Sequence, residues 1–303
     1  GLTPEHVELE NGLAEFIGKE IALLFSSGYD ANLGVLPTLS MYKVSARIIS
    51  DELNHASLID GIRLSRAKDA VFEHNDMDSL EKLLREITSP NNPTTVLIVT
   101  EGVFSMDGDI APLKELLELA KKYGALVVVD EAHAVGVYGE DGSGLAELFG
   151  DVKYPNLVIV GTLSKAFGLA GLRGGYVLGS EAVIDALRSV ARPFIFSTSL
   201  PPAALAALSA SLGVIKSEEV SERREELGRL VRELRLILDA RGFPVADSDS
   251  NFVLVRVGTP AYDASKALAL AKKLLEEHAT QSGVIVRAIN PPTVPKGETS
   301  RLR

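Results

Sequence analysis

The 303-residue chain has no cysteine. That excludes a disulfide framework, a thiolate metal site and a cysteine nucleophile. Positive charge is also short, because 31 Lys and Arg against 41 Asp and Glu leave a formal net charge of −10. Such a surface argues against a general binder of phosphate backbones, so no nucleic-acid partner is expected, and any bound anion must be met by a local site. The histidines number five and are scattered, and no metal site is expected. No apolar run reaches the ~18 residues of a membrane span. The opening residues Gly1-Leu2-Thr3-Pro4-Glu5 carry neither a basic start nor an apolar signal core. A cytoplasmic protein without a membrane partner is the expectation. The chain opens without an initiator Met and closes on Arg301-Leu302-Arg303, so both ends read as cuts.

What remains is ample for a buried core: 46% hydrophobic residues, 24% charged, and 26 glycines. Thr3 then Pro4 reads as a helix start. Four short runs, Val96–Val99, Leu126–Val129, Leu157–Val160 and Tyr176–Leu178, are apolar throughout. Strands of that kind are covered on both faces, and a helix from Pro112 to Gly124 between the first two makes their sheet largely parallel. The expected fold is α/β with a largely parallel central sheet, helices on both faces, and a smaller C-terminal α+β domain. The boundary is placed at residues 1–215 and 216–303. The second part carries a long charged helix from about Ser221 to Arg241, a strand at Phe252–Val255, a helix near 262–278 and a strand at Val284–Val286.

In such sheets ligands sit beyond the carboxyl ends of the strands. The apolar runs deliver Thr100-Glu101 onward to Ser105, then Asp130-Glu131-Ala132-His133, then Thr162 and Ser164-Lys165. A carboxylate emerging from four apolar residues is partly desolvated and calls for a positive partner. Lys165 sits in a Gly-rich turn after a buried strand, where limited room for a solvated ammonium would lower its pKa, as imine chemistry requires. Eight residues on, Arg173 lies among glycines, and its fork suits a phosphate.

The run Asp130 to Gly136, together with Gly161 to Gly168, resembles the pyridoxal-phosphate enzymes of aminotransferase fold type I. Within these it is similar to the α-oxoamine synthases, which condense an amino acid with an acyl-CoA. Further marks are Ser27–Asn32, Asp51–Gly61, His74–Asp76, Glu101–Asp109, Phe194–Pro202 and Asn290–Pro295, so the likeness covers nearly the whole chain. The resemblance implies a pyridoxal 5'-phosphate cofactor held by Lys165 as an imine, with Asp130 paired to the pyridine nitrogen. His133 would bond the ring's phenolic oxygen, and His55 would stack over its face. Gly28 and Tyr29 would give backbone N–H groups to the phosphate, joined by Thr162 and Arg173. Ser105 would lie beside the ring, and Ser197 and Thr198 would reach the phosphate of a neighbouring subunit in a homodimer with shared sites. Thr293 and Arg303 would bind substrate, Arg303 taking its carboxylate. His6, His74 and His278 keep a structural reading. The implied activity joins alanine or glycine to an acyl-CoA with decarboxylation. The nearest alternatives are the glycine-using reactions of 5-aminolevulinate synthase and glycine C-acetyltransferase; a true aminotransferase, which the Arg173 turn favours, and an inactive truncated cofactor-binding fragment are further ones.

Overall fold

The computed structural model describes residues 2–41, 46–88, 94–149, 152–246, 248 and 250–256, and the backbone of 288–289 and 301–302. The chain divides into two compact units, residues 1–103 with 111–221, and residues 104–110 with 222–303.

The first unit is built on seven strands: β1 (Ile21–Phe25), β2 (Arg47–Asp51), β3 (Lys68–Phe72), β4 (Val96–Glu101), β5 (Leu126–Asp130), β6 (Leu157–Thr162) and β7 (Gly175–Gly179). They form one sheet in the order β1-β7-β6-β5-β4-β2-β3. Strands β3, β2, β4, β5 and β6 are mutually parallel. Only β7 is reversed, since it pairs antiparallel with both β6 and β1. The expected largely parallel sheet is therefore present. Around it lie α1 (Pro4–Ile17), α2 (Gly28–Met41), α3 (Ala56–Ser65), α4 (Met77–Ile87), α5 (Leu113–Tyr123), α6 (Leu145–Leu148), α7 (Glu181–Val190), α8 (Arg192–Phe196) and α9 (Pro202–Ile215).

Alternation along the strands explains the two covered faces. Leu97, Val99, Val128, Val158, Val160 and Val177 share one buried cluster with Val35 and Leu36 of α2, Leu58 of α3 and Leu187 of α7. The intervening Ile98, Val127, Val129 and Ile159 are equally buried on the other side. Terminal signals act locally as expected. Gly124 ends α5 at φ +65° and donates its N–H to Ala120, and Thr3 precedes Pro4 in extended conformation. Strands β1, β2 and β3 were not foreseen. For β3 the reason is composition: it is an edge strand of Lys68-Asp69-Ala70-Val71-Phe72 with only Phe72 buried.

In the second unit the long helix α10 (Glu218–Ala240) begins three residues before the expected start, because the Ser217 carbonyl accepts the N–H groups of Val220 and Ser221. The Arg235 guanidinium gathers the carbonyls of Ala246, Ser250 and Phe252, the last at 2.7 Å. Of the expected Phe252–Val255 strand only Val255 is paired, within β8 (Val255–Arg256), which joins β10 (Arg301–Leu302) and β9 (Ala288–Ile289) in a small antiparallel sheet. The expected elements at 262–278 and 284–286 lie outside the described residues.

Candidate active site

Parallel strands bring their carboxyl ends to one edge of a sheet, and here that edge is polar. Asp51, Glu101, Asp130 and Thr162 are the last residues of β2, β4, β5 and β6. Glu101 and Asp130 are direct register partners and both are buried. Burial, with the nearby Asp130 and Asp51 charges, pushes the Glu101 carboxyl well up; the His55 backbone N–H and Lys165 pull the other way. Asp51 is already committed, accepting His74 Nδ1 at 2.8 Å and the N–H groups of Leu53 and Asn75.

Asp130 takes one hydrogen bond at each oxygen, from Asn32 Nδ2 at 2.7 Å and from the Ala132 N–H at 2.9 Å. Both donors are neutral, so among the described residues no cation is hydrogen-bonded to this buried acid. From Asn32 a chain of contacts runs on: its Nδ2 also reaches Ser57 Oγ at 2.9 Å, and Ser57 Oγ lies 2.8 Å from His55 Nδ1. His55 precedes α3 and accepts the Ser57 N–H, capping that helix. Burial holds the His55 pKa below its usual value; the Asp130 charge opposes this and Lys165 reinforces it. Asp130 and Lys165 thus both act electrostatically on His55.

The next residue, Glu131, has a different task. It is fully buried and accepts the Leu145 and Ala146 N–H groups at 3.1 and 2.9 Å, closing the start of α6. Burial raises its pKa to about 7 against the pull of those two N–H groups.

A cradle for an anion adjoins this cluster. Helix α2 starts at Gly28; the N–H groups of Asp30 and Ala31 are taken by the Ser27 hydroxyl and carbonyl, and the Gly28 and Tyr29 N–H groups have no acceptor within the helix. A Cβ on Gly28 would come 3.2 Å from Thr162 Cβ and 3.3 Å from the Gly161 carbonyl, and one on Gly175 would overlap the Ser27 backbone. Glycine at both positions lets the helix start lie directly on the ends of β6 and β7. The Thr162 hydroxyl donates to the Gly174 carbonyl at 3.1 Å and accepts the Ser164 N–H.

The structure brings Asp130, His55, Lys165, Gly28, Tyr29 and Thr162 to this region, though not every side chain as expected. Lys165 is exposed. The reading of a lysine desolvated by its turn is corrected: the segment after β6 buries Leu163 and Phe167 but carries Lys165 and Ala166 into solvent. The Tyr29 side chain turns away and bonds Asp60, leaving its backbone at the helix start. His133 is half-buried in the turn after β5. Arg173 is exposed at φ +65°. Ser105 is buried and belongs to the second unit. Ser197 and Thr198 line a cavity of about 500 Å³ with His6, Glu10, Arg188 and Phe194, and are exposed. Thr293 and Arg303 lie outside the described residues. Sequence reasoning passed over Asn32, Ser57 and Glu101 as site residues. The signal for Asn32 was an amide in the second turn of the helix that begins at Gly28; for Glu101 it was a carboxylate closing an apolar run, as at Asp130.

The sheet order and polar strand ends are those of a fold type I transferase. A family model described as aminotransferase class I and II matches residues 2–303. An 8-amino-7-oxononanoate synthase of Geobacter sulfurreducens is 46% identical over 98% of this chain and 71% of its own. A 5-aminolevulinate synthase of Bradyrhizobium diazoefficiens is 44% identical over 98% of this chain and 68% of its own. A high-resolution structure of SPT, a serine palmitoyltransferase, with a PLP internal aldimine gives a TM-score of 0.86 at 36% identity, covering all of this chain and 71% of that one. The chain belongs to the class I and II aminotransferase family and, within it, to the α-oxoamine synthases.

Proposed function

We infer that this chain is a pyridoxal-phosphate-dependent acyltransferase that joins the Cα of an amino acid to the acyl group of an acyl-CoA, releasing carbon dioxide and free CoA. The particular reading is 8-amino-7-oxononanoate synthesis in biotin formation, as named for the Geobacter sulfurreducens relative. That product is an α-amino ketone: its amino-bearing carbon and terminal methyl are what alanine leaves after decarboxylation, and the rest is a pimeloyl unit delivered by its thioester. The observation that carries the cofactor reading is Asp130, a buried acid whose hydrogen-bond donors are both neutral. A protonated pyridine nitrogen supplies the missing positive partner. The start of α2, with Thr162 against Gly28, fits the phosphate.

When bound, the cofactor supplies an electron sink for cleavage of a bond at the substrate Cα. The chain's own residues do the rest. Asp130 would keep the ring nitrogen protonated, which is what makes the sink effective. Lys165 would hold the cofactor and, with substrate in the site, would remove and return the proton at Cα. His55, whose pKa is held below its usual value although the residue is exposed, would cover the ring face without adding a charge that opposes the pyridinium. His133 would bond the phenolic oxygen, Ser105 would lie beside the ring, Arg173 would join the phosphate ligands, and Thr293 and Arg303 would hold substrate. We further place Ser197 and Thr198 at the phosphate of a second subunit in a cytoplasmic homodimer, with a large domain over 1–215 and a small one over 216–303. Among the described residues no helix is long and apolar enough to cross a membrane.

Lys165→Ala, compared with the unaltered chain in pyridoxal phosphate, tests the anchor: the visible absorption band of the bound cofactor should form only with the lysine. Incubation with alanine or glycine and either pimeloyl-CoA or succinyl-CoA, following thiol release, then separates this reading from 5-aminolevulinate synthesis, which the Bradyrhizobium relative supports. Amino exchange with a 2-oxo acid in the absence of thiol release would instead establish an aminotransferase.

A further inference from the structure

We propose that Asn32 and Ser57 are positioning residues that link Asp130 to His55 and lock the His55 imidazole in the tautomer protonated at Nε2. The inference rests on the reading of this pocket as a pyridoxal-phosphate site, and adds to it two side chains that need not touch the cofactor.

The direction of every hydrogen bond in the chain is fixed from one end. Asp130 Oδ2 can only accept, unless the acid itself is protonated, so the atom 2.7 Å away on Asn32 is the amide nitrogen. The Asn32 oxygen has no partner among the described residues, so nothing favours the opposite orientation, which would set a carbonyl against the acid. The second N–H of the same nitrogen points to Ser57 Oγ at 2.9 Å. That oxygen, already receiving a proton, has its own to give, and His55 Nδ1 lies 2.8 Å away. The Ser57 backbone N–H donates to the same Nδ1 at 3.2 Å. A ring nitrogen that accepts two donors carries no proton, which leaves the imidazole proton on Nε2.

The four residues are anchored on three separate elements. Asp130 closes β5, Asn32 is in α2, and His55 and Ser57 open α3. Asn32 and Ser57 are essentially inaccessible. The network therefore fixes the Asp130 carboxyl plane and the His55 ring orientation by one set of bonds. The charged or titratable groups around His55 are Asp130 from β5, Lys165 after β6 and Glu101 from β4, which accepts the His55 backbone N–H.

The test uses ¹⁵N-histidine-labelled protein, with and without pyridoxal phosphate, read by two-bond ¹H–¹⁵N correlation. With five histidines in the chain, His55 is assigned as the signal lost in His55→Gln. Unaltered protein should show Nδ1 as an unprotonated acceptor and Nε2 protonated. In Ser57→Ala the Nδ1 acceptor loses one donor, and in Asn32→Ala the serine proton is released from its direction. Both should weaken the hold on the Nε2-protonated form, which the Ser57 N–H alone then supports, and raise the His55 midpoint by roughly half to one pH unit, the equivalent of one hydrogen bond. An Nδ1-protonated ring in the unaltered protein overturns the proposal whether or not the variants fold. So does an unchanged tautomer and midpoint in both folded variants. Failure of the unaltered protein to develop the cofactor's absorption band overturns the reading of the site instead, and leaves the tautomer result to be judged by itself.

Discussion

Glu131 offers a quantitative check on how this strand edge is built. Its carboxyl is fully buried and its pKa is raised from 4.5 to about 7. Because the folded state binds the proton more tightly, the associated stability is fully present below about pH 4.5 and is lost as pH rises through about 7. The separation of 7 and 4.5, at 1.36 kcal/mol per unit, makes that loss on the order of 3 kcal/mol by pH 8 to 9. Glu131→Gln keeps the neutral shape but only one acceptor, so either the Leu145 or the Ala146 N–H is left without a bond. That costs about 1–3 kcal/mol at every pH. The unaltered chain should therefore be the more stable at pH 5, and the difference should shrink to nothing or reverse by pH 9. The chain has no tryptophan, so urea unfolding is best followed by far-ultraviolet circular dichroism from pH 5 to 9. Other raised carboxyls, such as Glu10 and Glu101, contribute to both proteins and cancel in the difference. Parallel stability curves for the two proteins would refute the assignment of Glu131 as a buried acid that titrates near neutrality.

Two further outcomes follow from the site geometry. Asp130→Asn removes the charge that raises the His55 pKa, so the His55 midpoint in the NMR titration should move further down, and thiol release should fall by about two orders of magnitude or more, from the weakened electron sink. Gly28→Ala places a methyl 3.2 Å from Thr162 Cβ, displacing the start of α2 by a few tenths of an ångström. Pyridoxal phosphate should bind ~10-fold more weakly, about 1.4 kcal/mol, in equilibrium titration of its absorption band, with little change in the melting temperature of the cofactor-free protein.

Much of the fold was legible because the signals are local. Val127, Val128 and Val129 are apolar on both faces of one strand, and no exposed strand has that pattern. Pro112 and Gly124 bracket a helix by backbone chemistry that any surroundings would respect. Strand β3 was not legible, because a charged edge strand lacks the apolar pattern and is defined by the neighbour it pairs with. At the site, Asp130 and Lys165 stood out through their places after apolar runs and in a recognisable motif. Asn32 and Ser57 did not, since an amide and a hydroxyl in early helical turns are most simply read as local hydrogen-bonding groups.

By itself the sequence determined the class of chemistry. A chain without cysteine, carrying an acid and a lysine at the ends of buried strands, can do covalent chemistry through an amine and a borrowed ring, and its motifs name the family that does so. Tertiary structure alone decided how those groups are held. Asn32 and Asp130 stand 98 positions apart in sequence yet share a 2.7 Å hydrogen bond, and Lys165 is exposed although its turn is rich in glycine. Burial, hydrogen-bond direction and the distance between charges belong to elements packed against one another, and no single segment contains that information.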